Sequence, residues 1–222
     1  ESLEQVKIRW TRLNQINSDL KVFAENNLSI IIQEIKDNKP TIAIIDSIQA
    51  INNSDLESAS GSVSQVRSCS SELQKFAKDN NIALLIIGHV TKDGSLAGPK
   101  TLEHLVDVVL NFEGDHIASH RLLRGIKNRF GATFELGIFE MLENGLNEIK
   151  NPSSNFTNRE NIAGVATTIT REGTRTFAVD IQALVNKTFF NNPKRAATGL
   201  NINRLHQIIA VIEKHIDLKL YE

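Results

Sequence analysis

Thr41-Ile42-Ala43-Ile44-Ile45-Asp46-Ser47-Ile48 follows a proline and runs apolar and β-branched before it reaches a carboxylate and a hydroxyl. It is too short for a typical helix, and an apolar run of this kind reads as a strand buried on both faces of a parallel sheet. Ligands of open α/β sheets bind beyond the carboxyl ends of the strands. Asp46 therefore stands where a carboxylate can hold the water shell of Mg²⁺ beside a bound nucleotide. The same residues also suit a plain core strand whose Asp46 or Ser47 caps the next element. The stretch alone leaves both readings open.

Its surroundings favour a parallel sheet. Leu3, Val6, Trp10 and Leu13 recur at helical spacing, Leu20–Phe23 suits a short strand, and Leu28, Ile31, Ile32 and Ile35 form a second helical stripe capped by Asn26 or Asn27. After the opening strand, residues 49–61 are polar and predict a mobile loop. Ser62 then precedes a third stripe of Val63, Val66, Cys69, Leu73, Phe76 and Ala77. Ile82–Ile87 is a second apolar strand ending at Gly88-His89, and another loop spans 91–100. This alternation predicts βα units, and loops of such length are uncommon unless functional. Beyond them, strands at Val106–Phe112, Arg121–Ile126 and Phe134–Met141, with a turn at Glu143-Asn144-Gly145, predict an antiparallel extension of the sheet. Asn151-Pro152-Ser153-Ser154-Asn155 has a linker's composition and divides residues 1–150 from 151–222. The second part reads as a hairpin around Arg171-Glu172-Gly173-Thr174 and a helix from Asn201 to His215. It is small for an independent core. The expectation is of an α/β chain that is a piece of something longer, its second domain cut short at Glu222.

Lys and Arg number 25 against 26 Asp and Glu, so no global positive field advertises nucleic acid. One cysteine, Cys69, excludes an internal disulfide framework and a cysteine-based zinc site within these 222 residues. No apolar run is long enough to span a membrane.

Four stretches could carry chemistry. Gly94-Ser95-Leu96-Ala97-Gly98-Pro99-Lys100-Thr101 imitates a phosphate-binding P-loop, but Pro99 separates the glycine from the lysine and removes an amide donor. His89 would sit beside Asp46 if the two apolar strands are neighbours, and could sense a γ-phosphate or simply end a strand. Lys127 and Arg129 flank one residue and share a strand face, either to reach a phosphate or to line a solvated edge. Loops 50–62 and 91–100, with Arg67, Lys92 and Lys100, could bind a sugar–phosphate backbone or be plain connections. They hold no aromatic on which to stack bases.

Taken in order, Ile45-Asp46-Ser47-Ile48-Gln49, Gly61-Ser62-Val63-Ser64-Gln65-Val66-Arg67, Gly88-His89-Val90-Thr91-Lys92, Leu102-Glu103-His104-Leu105-Val106-Asp107 and Lys127-Asn128-Arg129-Phe130-Gly131 closely resemble the bacterial RadA (Sms) family of DNA repair proteins. The Lys-Asn-Arg-Phe-Gly run is that family's own signature. The resemblance continues through Glu172-Gly173-Thr174-Arg175, Pro193-Lys194-Arg195 and Gly199-Leu200-Asn201-Ile202-Asn203-Arg204-Leu205, so it covers essentially the whole chain.

The resemblance implies a RecA-like ATPase core followed by a domain similar to the peptidase domain of Lon protease. It implies a cytoplasmic homo-hexamer that uses ATP and Mg²⁺ to move on single-stranded and branched DNA, driving branch migration in recombination and repair. A recombinase is a conceivable partner, and no membrane is involved. Asp46 would be the Walker-B carboxylate that holds the metal, with Ser47 beside the nucleotide, and His89 the γ-phosphate sensor. Lys127 and Arg129 would reach a neighbouring subunit's nucleotide. Loops 50–62 and 91–100, with Arg67, Lys92 and Lys100, would face DNA; Lys187, Lys194, Arg195 and Arg204 would be DNA or scaffold contacts. The family's four-cysteine zinc module, its P-loop and its catalytic glutamate would precede Glu1, so residues 1–222 alone are expected to be inactive. Two other readings remain: a DNA-binding scaffold without motor activity, and a Lon-type peptidase whose Ser–Lys pair would follow Glu222.

Overall fold

The computed structural model describes residues 3–13, 20–89, 102–114, 120–158, 162–186, 194–216 and 220. Strands β1 (Ile42–Asp46) and β2 (Ala83–Ile87) pair in parallel, with Ile42 opposite Ala83 and Asp46 opposite Ile87. Two earlier helices are α1 (Leu3–Arg12), which buries none of its residues, and α2 (Leu28–Asn38). The crossover from β1 to β2 is α3 (Val63–Asp79). Leu28 and Ile31 of α2 and Val66, Cys69 and Leu73 of α3 share one core with Ile45, Ile48, Ile51 and Leu102. Both helices therefore cover the same face of the pair. Ala43 and Ile45 are buried, whereas Ile42 and Ile44 are 60% and 55% exposed. The opening strand is thus buried on one face among the described residues, not on both.

Local chemistry starts the helices where the sequence places them. Asn27 Oδ1 accepts from the amides of Ser29 at 3.0 Å and Ile30 at 3.3 Å, and Ser62 Oγ accepts from Gln65 N at 3.4 Å. Each satisfies amides that a first helical turn leaves without partners. Residues 20–23 form no strand; instead Asn27 makes an isolated parallel bridge with Asn52.

Four antiparallel strands follow in sequential order: β3 (Val108–Gly114), β4 (His120–Asn128), β5 (Leu136–Leu142) and β6 (Gly145–Glu148). They hydrogen-bond among themselves and form a sheet separate from β1–β2. The chain is α/β, with a parallel pair and antiparallel sheets. The stretch of linker composition makes a single helical turn, α4 (Ser153–Phe156). Phe156 packs edge-on to His120 at 5.4 Å and tilted to Phe177 at 5.9 Å, and Ser153 Oγ accepts from Ala178 N at 3.0 Å. Apolar packing and one hydroxyl thus order a segment that composition alone reads as loose.

Strands β7 (Val165–Glu172) and β8 (Arg175–Gln182) form a hairpin closed by Gly173-Thr174. Phe177 of β8 joins Leu136, Ile138 and Ile149 in a second core. Arg124 pairs with Glu172 at 2.5 Å, and Glu135 accepts from Thr174 N and Oγ1 at 3.2 and 2.9 Å. Gly173 has φ +60°, and a Cβ there would lie 2.5 Å from the carbonyl oxygen of Phe134, so the turn needs glycine. The last helix, α5 (Ile202–Ile216), starts with Asn201 Oδ1 accepting from Asn203 N and Arg204 N at 3.0 and 3.2 Å.

Candidate functional site

Parallel pairing in register brings the ends of β1 and β2 together. His89 Nε2 lies 4.0 Å from Asp46 Oδ1, and the two side chains are 67% and 65% exposed. That separation is too long for a direct hydrogen bond. The pair is held from behind: Gln49 Nε2 donates to the His89 carbonyl at 3.1 Å, while the neighbouring Ile48 is fully buried. Ser47, half-buried, follows Asp46 through a cis peptide and precedes a 3-10 turn over Ile48–Ala50. The strand ends thus present a carboxylate and an imidazole to solvent.

Residues 51–62 are a tethered segment, where the sequence predicts a mobile loop. The cause is Gln65, a residue that sequence reasoning missed. Its side chain is fully buried among the core residues of α3. Gln65 Nε2 faces Asn52 Oδ1 at 2.9 Å and the carbonyls of Asn53 at 3.1 Å, Leu56 at 3.3 Å and Ser58 at 2.9 Å; Oε1 accepts from Asn53 N at 2.9 Å. A buried amide satisfied on both ends organises the backbone that it bonds. The segment is also tied to α2 by Asn52 N donating to the Asn26 carbonyl at 2.7 Å. The available signal was a glutamine inside an otherwise apolar stripe, one turn before Cys69.

Lys127 and Arg129 do lie on one side of the chain, and both are engaged there. Lys127 Nζ donates to the carbonyls of Glu103 at 2.6 Å and Val106 at 2.8 Å. These carbonyls belong to a turn in which Val106 N donates to Leu102 O at 3.2 Å, and the ammonium gives them a charged donor. Gln74 Nε2 of α3 donates to the Leu105 carbonyl of the same turn. Arg129 Nη1 bonds Asp107 Oδ1 at 2.9 Å. Beyond Arg129, Asn128 closes the tip: its Oδ1 accepts from Phe130 N at 3.0 Å and its Nδ2 donates to the Ala132 carbonyl at 3.2 Å.

Arg67 opens onto a groove along α3 that Leu56, Val63, Ser64, Ser71 and Lys75 also line. Lys92 and Lys100, with the whole of loop 91–100, lie outside the described residues, as does Lys187. Arg195 Nη2 donates to the Leu220 carbonyl at 2.8 Å, and Lys194 and Arg204 are exposed. Cys69 is fully buried, and burial pushes its thiol pKa up, with the Glu72 carboxylate adding to the shift. No cluster of three or more metal-ligating His, Cys, Asp or Glu side chains occurs among the described residues. No helix among them is long and apolar enough to cross a membrane.

Fold and site together define an α/β protein that offers a carboxylate and a histidine at the carboxyl ends of adjacent parallel strands, where such folds take their ligands. No protein-family model matches the chain. It is 49% identical over 239 aligned positions to the DNA repair protein RadA of Synechocystis sp., covering 99% of this chain and 47% of that protein. The same identity holds over 222 positions with the DNA repair protein RadA of Bacillus subtilis, covering 99% and 48%, and of Listeria monocytogenes, covering 99% and 49%. The chain is similar to these RadA proteins along nearly its whole length and spans about half the length of these curated relatives. A KaiC-like protein of Pyrococcus horikoshii superposes with a TM-score of 0.47 at 16% identity, over 67% of this chain and 73% of that one.

Proposed function

We propose that this chain is part of an ATP-dependent DNA repair protein that acts on single-stranded and branched DNA, with its ATPase half in residues 1–150 and a Lon-like half beginning at 151. The observation that carries the reading is the convergence of Asp46 and His89 at the ends of two register-paired parallel strands. Similarity along nearly the whole chain to proteins named as DNA repair proteins supports it. The donor set fits Mg²⁺: one exposed carboxylate with Ser47 beside it suits an ion that keeps waters and phosphates among its ligands, and not a caged ion. When bound, Mg²⁺ would supply charge neutralisation at the phosphates, and Asp46 and Ser47 would hold it. His89, its backbone anchored by Gln49, orients toward the γ-phosphate by hydrogen bonding. Lys127 and Arg129 serve the nucleotide of a neighbouring copy in a homo-hexamer, since charge developing on a transferring phosphoryl group is stabilised by cations placed beside it. Arg67, Lys92, Lys100, Lys194 and Arg195 meet DNA phosphates. The protein works in the cytoplasm.

Steady-state ATP hydrolysis by the full-length protein, with and without single-stranded DNA, tests this. Asp46→Asn is expected to lower kcat about 100-fold or more while leaving the melting temperature within a degree or two. A variant that still hydrolyses ATP at the wild-type rate would exclude the metal-holding role and leave a DNA-binding scaffold as the better reading.

A further inference from the structure

Asp107 stands at the foot of the cation assigned above to phosphate. Its Oδ1 accepts from Arg129 Nη1 at 2.9 Å, and its backbone carbonyl accepts from Arg129 N at 3.1 Å. One residue therefore holds both the main chain and the head of Arg129. Its other carboxylate oxygen lies 3.9 Å from Lys78 Nζ of α3. The side chains of Lys78, Asp107 and Arg129 are 58%, 30% and 54% exposed.

Ion pairs this exposed contribute little to stability. That is enough to select one rotamer of a long side chain whose head otherwise samples many. A guanidinium has five N–H donors, so a bond through Nη1 leaves the fork able to take phosphate oxygens. Lys78 offsets the negative charge that Asp107 would otherwise present to a phosphate, so the three groups together remain cationic. Arg129 is thereby pre-set before it meets a nucleotide, and pre-setting removes an ordering cost from the reacting complex.

We propose that Asp107 is the positioning residue for Arg129, fixing the guanidinium in the orientation from which it serves a phosphoryl group. The inference rests on the phosphate role given to Arg129 above.

The test is ATP hydrolysis by the full-length protein with single-stranded DNA, in a cycle of Asp107 and Arg129 variants. Asp107→Asn is expected to lower kcat about 10-fold with KM for ATP unchanged, because alignment is lost while binding is not. Asp107→Glu, which keeps the carboxylate, should recover most of that loss. In an Arg129→Ala background, Asp107→Asn should cost nothing further. A normal kcat in Asp107→Asn, or a further 10-fold loss in the Arg129→Ala background, would overturn the positioning role. If Arg129→Ala itself turns over normally, the phosphate role of Arg129 has failed, and Asp107 falls with it for that separate reason.

Discussion

At the ends of β1 and β2 the side chains of Asp46 and His89 are 65% and 67% exposed, with His89 Nε2 4.0 Å from Asp46 Oδ1. At the end of β4, Lys127 is spent on two backbone carbonyls and Arg129 on a carboxylate. One half of the proposed site is offered to a ligand; the other is held by its own chain. The contrast teaches that equivalent-looking polar residues on strand ends do different work. Among the described residues the Asp46 and His89 side chains hold no backbone group in place, so losing them should cost activity alone. Lys127 supports a turn as well, so losing it should cost activity and stability together.

The contrast can be broken in order of effect. In the full-length protein, Arg129→Ala should lower DNA-stimulated kcat by about 100-fold, within the range of cations that act on a neighbour's phosphate, with little change in melting temperature. Lys127→Ala should lower kcat as well and also destabilise by about 1–2 kcal/mol, read by urea denaturation, because the Glu103 and Val106 carbonyls lose a charged donor. Equal stability in the two variants would erase the distinction between them.

Gln65 sharpens the comparison from the stability side. Gln65→Ala removes a buried amide that bonds five groups in residues 52–58. The expected cost is about 2–3 kcal/mol, measured by chemical denaturation, with faster amide exchange across that segment. The smallest effect belongs to Cys69. Its fully buried thiol, with a raised pKa, should resist alkylation in the native protein at pH 8 and react fully in denaturant.

Much of the frame was legible in the residues. The apolar runs ending at Asp46 and Ile87 marked two strands, and Asn26 or Asn27 and Ser62 marked helix starts, because the strand pattern and capping are local matters. The proximity of Asp46 and His89 followed once β1 and β2 were neighbours. What escaped was tertiary. Gln65 reaches residues 7 to 13 positions back in the chain, and Asp107 meets Arg129 across 22 positions. The polar character of residues 49–61 suggested mobility because their partners, chiefly the Gln65 side chain on the following helix and the backbone at the start of α2, lie outside the segment. Likewise 151–155 has a linker's composition, yet Phe156 is seated between His120 and Phe177 by packing that composition does not encode.

The central claim is that the open half and the held half meet across neighbouring copies. Mixing two inactive full-length variants, Asp46→Asn and Arg129→Ala, tests it directly. If Asp46 and Arg129 serve one site from different subunits, random co-assembly leaves about a quarter of the junctions with both residues intact, and DNA-stimulated ATP hydrolysis should return toward that fraction. A mixture that stays as inactive as its parents, although the subunits have exchanged, would contradict it.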